Sequence, residues 1–176
     1  MTETHDHRIA YLFRSPLGWI GVVWEGEALQ TLTFGHARRE AACRALGEPT
    51  WRRQLPLTER QQTLCDRLLA FTEGAPDSFA DVEVTLDERT DFQRRVLEAC
   101  RQIPYGQTAS YAELAKAAGR PKAARAVGTT MSKNPVPLVV PCHRVVSSAR
   151  ANVGGFSAPG GVSMKQRLLA LEAQLA

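Results

Sequence analysis

Three times in its second half the chain sets a serine or threonine three residues ahead of a glutamine or glutamate: Thr90-x-x-Gln93, Ser110-x-x-Glu113 and Ser163-x-x-Gln166. At a helix start the first backbone N–H groups lack partners, and in this pattern two side chains satisfy them reciprocally. Three such starts mark the second half as mostly helical. The apolar periodicity around them predicts helices over 91–102, 111–118, 122–132 and 164–174.

The first half reads differently. Residues 8–13, 19–24 and 28–34 are short runs rich in Val, Ile, Leu, Trp and Phe, separated by Ser15-Pro16-Leu17-Gly18 and Glu25-Gly26-Glu27. Such runs between turn formers predict a β-meander. Helical composition follows at 37–46 and 58–72, and Val82–Leu86 alternates as a further strand. The expected fold is α+β: a small N-terminal β-meander/α domain over 1–86, then a mostly helical, winged-helix-like domain over 87–176.

With 176 residues, 44% of them hydrophobic and 23% charged, the chain has the makings of a packed core and excludes disordered or fibrous classes. Its four cysteines form no C-x-x-C pair, and the polar residues 1–7 do not resemble a secretory leader. A reducing, cytoplasmic setting is expected. The longest apolar run, Val136–Val140, contains Pro137 and is far too short to span a bilayer. Cys43, Cys65 and Cys100 fall in apolar helical patterns and read as core. Cys43 and Cys65 with His5, His7 and His36 form no ligand spacing, so no metal is expected.

Charge is unevenly shared. Residues 1–85 carry a net −3 and residues 86–176 a net +7. The basic half suits a polyanion, although a solvated basic surface reads equally well. Two helices joined by Gly119-Arg120-Pro121 have the form of a helix-turn-helix. On the second of them Ala123, Ala124, Val127 and Met131 share one side, and Lys122, Arg125, Thr129 and Lys133 the other. Ala126 and Gly128 keep its flanks slim enough for close approach to a groove.

Asn134-Pro135-Val136-Pro137 predicts a turn and Leu138-Val139-Val140 a short buried strand, running into Pro141-Cys142-His143-Arg144-Val145-Val146. Basic neighbours favour the Cys142 thiolate. Adjacent side chains on a strand point to opposite faces, so Cys142 and His143 act together only if the backbone turns at Cys142. In the last helix Leu168, Leu171 and Leu175 form a stripe, and Glu172 projects about 40° from Leu168. A carboxylate there needs a partner. Two remain open: Lys165, which makes Glu172 an internal ion pair, and His143, which makes a Cys–His–Glu relay.

Phe92-Gln93, Ile103-Pro104-Tyr105-Gly106, Ser110-Tyr111, Ala124-Arg125-Ala126-Val127-Gly128, Asn134-Pro135 and Pro141-Cys142-His143-Arg144-Val145 together resemble the O6-alkylguanine-DNA alkyltransferases. The resemblance covers about 90–175. It implies direct-reversal repair in which an alkyl group, usually methyl, passes from O6 of guanine, and from O4 of thymine, to the protein's own cysteine in a single turnover. The implied partner is double-stranded DNA containing O6-alkylguanine, met by a monomer, and the resemblance implies that no organic cofactor is needed.

By the same resemblance Cys142 is the acceptor, His143 takes its proton through a water, and Glu172 holds the histidine. Asn134 braces the turn that carries the site. Arg125 fills the space of the flipped nucleotide, and Tyr111 crowds the adjacent phosphate and contacts the guanine. Lys122, Thr129 and Lys133 complete the DNA face. Ser157 is a donor near O6, in a pocket with Phe156, Gly155 and Val145, walled by a loop containing Gly154, Gly160 and Gly161. Phe156 stands where many members have tyrosine, Ala158-Pro159 is inserted before the glycine pair, and 148–152 lacks a glycine often found there. These departures bear on which adducts fit. Two rivals predict other outcomes: a lesion-binding module, which would lack the acceptor cysteine, and a Cys–His hydrolase that turns over.

Overall fold

β1 (Arg8–Ser15), β2 (Gly18–Glu25) and β3 (Ala28–His36) form an antiparallel meander in sequence order, as their alternating apolar runs predict. The first turn is held by Ser15, whose Oγ donates to the Gly18 carbonyl at 2.8 Å and accepts from the Leu17 amide at 3.2 Å. A computed structural model describes residues 8–47, 56–86, 88–148 and 153–174 of the chain. His5, His7 and Leu175 lie outside them, as do 149–152 of the segment noted for its missing glycine.

Two helices follow, α1 (Arg39–Ala45) and α2 (Glu59–Thr72). α2 opens with a capping box of its own, Thr58 with Gln61, and the buried Gln61 side chain also donates to the Gly26 carbonyl at 3.0 Å. One side chain thereby starts the helix and pins it to the β2–β3 turn. The strand expected over Val82–Leu86 reduces to a single parallel bridge between Leu29 and Val84. Its loop is held instead by arginines. Arg67 forks onto Asp77 and Asp81, and Arg101 donates to the carbonyls of Phe79 and Val82.

The second half contains α3 (Asp91–Arg101), a two-residue β4 (Ala109–Ser110), α4 (Tyr111–Ala117), α5 (Ala124–Ser132), a 3-10 turn (Cys142–Arg144), β5 (Val145–Val146) and α6 (Gly161–Ala173). The Thr90 and Ser110 capping boxes are formed. The third is not: α6 starts two residues ahead of Ser163, with Gly160 as its N-cap in the left-handed region at φ 85°. Gly160-Gly161 take a left-handed backbone path that is costly for other residues, so Ser163 arrives inside the first turn, where its hydroxyl has no cap to make.

The expected strand Leu138–Val140 is a tight turn. Its amide at Val140 returns to the Val136 carbonyl at 2.9 Å, and Leu138 sits at φ 73°. Prolines at 135 and 137 limit extended pairing. A left-handed leucine costs roughly 1–2 kcal/mol and persists where surrounding bonds over-determine it. α5 also begins two residues later than expected, leaving Lys122 in the preceding turn.

The two halves share one apolar core. Ile20, Trp24, Leu29, Leu68 and Phe71 from the first half meet Val96, Leu97, Cys100, Val127, Val139 and Leu168 from the second. The Leu32 amide donates to the Pro135 carbonyl at 2.8 Å, tying β3 to the chain just before the turn. Cys65 and Cys100 are buried in this core and Cys43 is half-buried.

Candidate active site

The backbone does turn at Cys142. Residues 142–144 make one 3-10 turn, so Cys142 and His143 leave a tight bend and not an extended strand. Asn134 fixes the approach to it: its Nδ2 donates to the Val140 carbonyl at 2.8 Å, while its Oδ1 accepts from the Val136 amide at 3.1 Å. One amide side chain thus closes the loop from both ends, and its presence beside Cys142 favours the thiolate.

His143 is fully buried, and its Nε2 lies 2.7 Å from Glu172 Oε1. Of the two partners left open by the sequence, Glu172 therefore takes His143. Lys165 donates elsewhere, to the carbonyls of Val145 at 2.5 Å and Gly155 at 3.2 Å, with Nζ 5.6 Å from the Tyr111 ring centroid. Glu172 is 1% exposed and collects further donors: the Gly106 amide at 2.9 Å and the fork of Arg144 at 3.0–3.1 Å. Burial works to raise its pKa, but the hydrogen bonds from His143 and Arg144 win and hold it at about 2.

An ionised carboxylate only accepts, so His143 Nε2 carries the proton and Nδ1 keeps a lone pair. Nδ1 is buried and makes no hydrogen bond within the described residues. Burial lowers the pKa of His143 more than Glu172 raises it. Burial likewise pushes the Cys142 thiol up, against the pull of the Asn134 side chain and the Lys165 charge. Both shifts favour the uncharged forms, a thiol and an imidazole on adjacent residues of one turn.

Cys142 lies at the edge of a cavity of about 630 Å³. Tyr111, Arg125, Gly128, Gly155, Phe156 and Ser157 line it together with the cysteine. The N-terminal residue of α4 and the exposed face of α5 therefore form one wall, and the loop before α6 the other. Gly154 is what lets that loop come close: its φ is 80°, and a Cβ there would fall 2.7 Å from the Tyr111 hydroxyl. Phe156 rests against Phe34 of β3 with ring centroids 6.3 Å apart, so the meander supports the loop.

Not every pocket or surface assignment converges. Val145 does not line the cavity. It is buried behind it, paired with Ala109, and offers its carbonyl to Lys165. Thr129 lines a separate groove with Thr90, Gln93, Arg95 and Arg120, and Lys122 and Lys133 are exposed outside both. The sequence names Arg144 only as a basic neighbour of the thiol and Lys165 only as a partner for Glu172; it misses the Arg144–Glu172 pair and the bonds from Lys165 to Val145 and Gly155. Its available signal was a lysine at the spacing of the α6 apolar stripe, three residues before Leu168. Among the described residues no group of His, Cys, Asp or Glu is placed to hold a metal, and no helix is long and apolar enough to cross a membrane.

A cysteine thiol at a cavity walled by a two-helix unit, followed in one tight turn by a carboxylate-held histidine, has the makings of a site for chemistry at sulfur. Comparison with known proteins narrows this. Residues 91–174 match the family model described as 6-O-methylguanine DNA methyltransferase, DNA binding domain. A methylated-DNA–protein-cysteine methyltransferase of Methanosarcina acetivorans is 35% identical over 92% of this chain and 96% of its own. One from Mycolicibacterium paratuberculosis is 47% identical over 61% of this chain and 62% of its own. The fold superposes on Mycobacterium tuberculosis OGT in complex with DNA with a TM-score of 0.77, at 34% identity over 94% and 93% of the two chains. It also superposes on the O6-methylguanine-DNA methyltransferase of Pyrococcus kodakaraensis, with a TM-score of 0.67 at 28% identity over 94% and 98%. The chain belongs to the methylated-DNA–protein-cysteine methyltransferases.

Proposed function

We propose that this chain repairs alkylated DNA by moving an alkyl group, chiefly methyl, from O6 of guanine or O4 of thymine onto Sγ of its own Cys142. One observation carries the reading: the buried thiol of the His143–Glu172 relay opens into the same cavity that the Tyr111 and Arg125 side chains enter from the two-helix unit.

O6 lies inside the stacked duplex, so the nucleotide must first be turned out, at a cost of a few kcal/mol. Arg125, exposed on α5 at the rim of the cavity, fills the space it leaves. Tyr111 crowds the neighbouring phosphate and packs on the extruded base. Lys122, Thr129 and Lys133 contact phosphates without reading sequence.

In the cavity the Cys142 proton passes to His143 Nδ1, through a bridging water, and Glu172 holds the resulting imidazolium. The thiolate attacks the alkyl carbon in line. The carbon–O6 bond breaks, its electron pair stays on guanine, and Ser157 meets the charge developing at the oxygen. The product thioether is not cleaved by water at a useful rate, so each chain reacts once. Every named group comes from a single chain, which suits a monomer, and the thiol stays free in a reducing cytoplasm. Residues 87–176 bind and react, while 1–86 hold the loop before α6 against the site.

Incubation with duplex DNA carrying labelled methyl on guanine O6 tests this. Label should move to the protein, saturate at one methyl per chain and be absent from Cys142→Ala. Label released to solvent would mean a hydrolase, and binding without transfer would mean a lesion-recognition module.

A further inference from the structure

Glu172 answers two side chains at once, His143 and Arg144, and the second has no part in the relay as described. Arg144 is 2% exposed. Its Nε lies 3.1 and 3.0 Å from the two carboxylate oxygens, its Nη2 lies 3.0 Å from Oε1, and its Nη1 donates to the Ile103 carbonyl at 2.7 Å. The guanidinium stacks 5.6 Å above the Tyr105 ring. This is a fully seated, bidentate pair, of the kind that fixes both partners.

We propose that Arg144 is a positioning residue that neutralises Glu172, so that His143 rests uncharged and keeps Nδ1 open for the Cys142 proton. The inference rests on the reading that His143 accepts that proton.

A buried carboxylate with no other counter-ion draws a proton onto a neighbouring imidazole. An imidazolium has no lone pair and takes nothing from a thiol. With Arg144 in place, the Glu172–Arg144–His143 cluster is neutral when His143 is neutral. Protonating His143 would leave a net buried positive charge, which is costly. The same residue still helps once the proton has moved, because the Glu172 carboxylate stays fixed against Nε2.

The groups around His143 are few. α6 contributes Glu172 and Lys165. The 3-10 turn contributes Cys142 and Arg144. The loop after α3 contributes Tyr105, whose hydroxyl donates to the Gly74 carbonyl, and the Gly106 amide on Glu172 Oε2. α2 contributes the Phe71 ring, edge-on to His143 at 6.3 Å. Lys165 acts in the same direction as Arg144 on His143, but its hydrogen bonds go to carbonyls and Tyr111. Arg144 is the cation that touches the carboxylate.

The test follows ring-labelled His143 by NMR across pH, alongside the rate at which iodoacetamide modifies Cys142, read from its own peptide. Wild type should keep His143 neutral well below the ordinary imidazole value. Arg144→Met should raise the pH at which His143 protonates by about one unit or more, and move the acid limb of Cys142 modification with it. Arg144→Lys, which keeps the charge, should return both toward wild type. A uniform loss of rate at all pH with the His143 titration unmoved would overturn the proposal. If Arg144→Met does not fold, wild-type His143 titrating at or above its ordinary value would do the same. Neither readout needs DNA, so a failure of methyl transfer would leave this result standing by itself.

Discussion

Glu172 reaches His143 from 29 residues further along the chain, with 2.7 Å between Oε1 and Nε2 and both side chains sealed from solvent. That contact joins the last helix to the 3-10 turn, and it holds a histidine in place directly after a buried thiol whose own burial disfavours ionisation.

The same contact makes stability depend on acid. Glu172 titrates near 4.5 when unfolded and at about 2 when folded. A depressed carboxylate contributes stability that is complete above the unfolded value and is lost as pH falls towards the folded one. Resistance to denaturant should therefore fall as pH drops from about 4.5 to about 2. Glu172→Gln should flatten that part of the profile. It should also lower stability at neutral pH by about 3 kcal/mol, because Arg144 is left buried and unpaired, and slow Cys142 alkylation.

Arg125 is exposed at the cavity rim, opposite the buried Val127 and Met131. Arg125→Ala should leave transfer from the free O6-methylguanine base close to wild type and reduce repair of duplex DNA at least tenfold, since only the duplex requires the extrusion cost of a few kcal/mol to be met. Single-turnover rates on the two substrates check this, and equal losses on both would exclude the role.

Gly154→Ala places a methyl group 2.7 Å from the Tyr111 hydroxyl at a φ of 80°. Left-handed backbone costs a non-glycine residue roughly 1–2 kcal/mol, and the loop or the ring must move as well. The variant should react more slowly with O6-alkylguanine, and larger adducts should suffer most. A series of alkyl groups in otherwise identical duplexes reads the effect.

Ser110 and Ser163 stand in the same four-residue pattern and do different things. Ser110 accepts from the Glu113 amide at 3.1 Å, while Ser163 lies inside α6. Ser110→Ala should cost about 1 kcal/mol by chemical denaturation, and Ser163→Ala much less.

That contrast marks the limit of reading helix starts from local pattern. The meander, α2 and α3 were legible because their apolar spacing and turn residues agree, and Glu172 was legible as a charge beside Leu168. The Ser163 box failed because Gly160-Gly161 start the helix earlier by a left-handed route. Leu138–Val140 looked like a strand by composition, yet Asn134 and two prolines fold it into a turn. The choice between Lys165 and His143 as the partner of Glu172 is tertiary, and no spacing within α6 contains it. The pairing of Arg144 stayed hidden for the same reason: its partners, Ile103 and Glu172, lie 41 and 28 residues away.

The central claim is that Cys142 is consumed as the alkyl acceptor. Mass spectrometry of the intact protein and its peptides, after incubation with excess O6-methylguanine duplex, tests it most directly. One methyl group per chain, located on Cys142 and unchanged by longer incubation, is the expected result. Methyl on another cysteine, or repaired DNA beside unmodified protein, would contradict it.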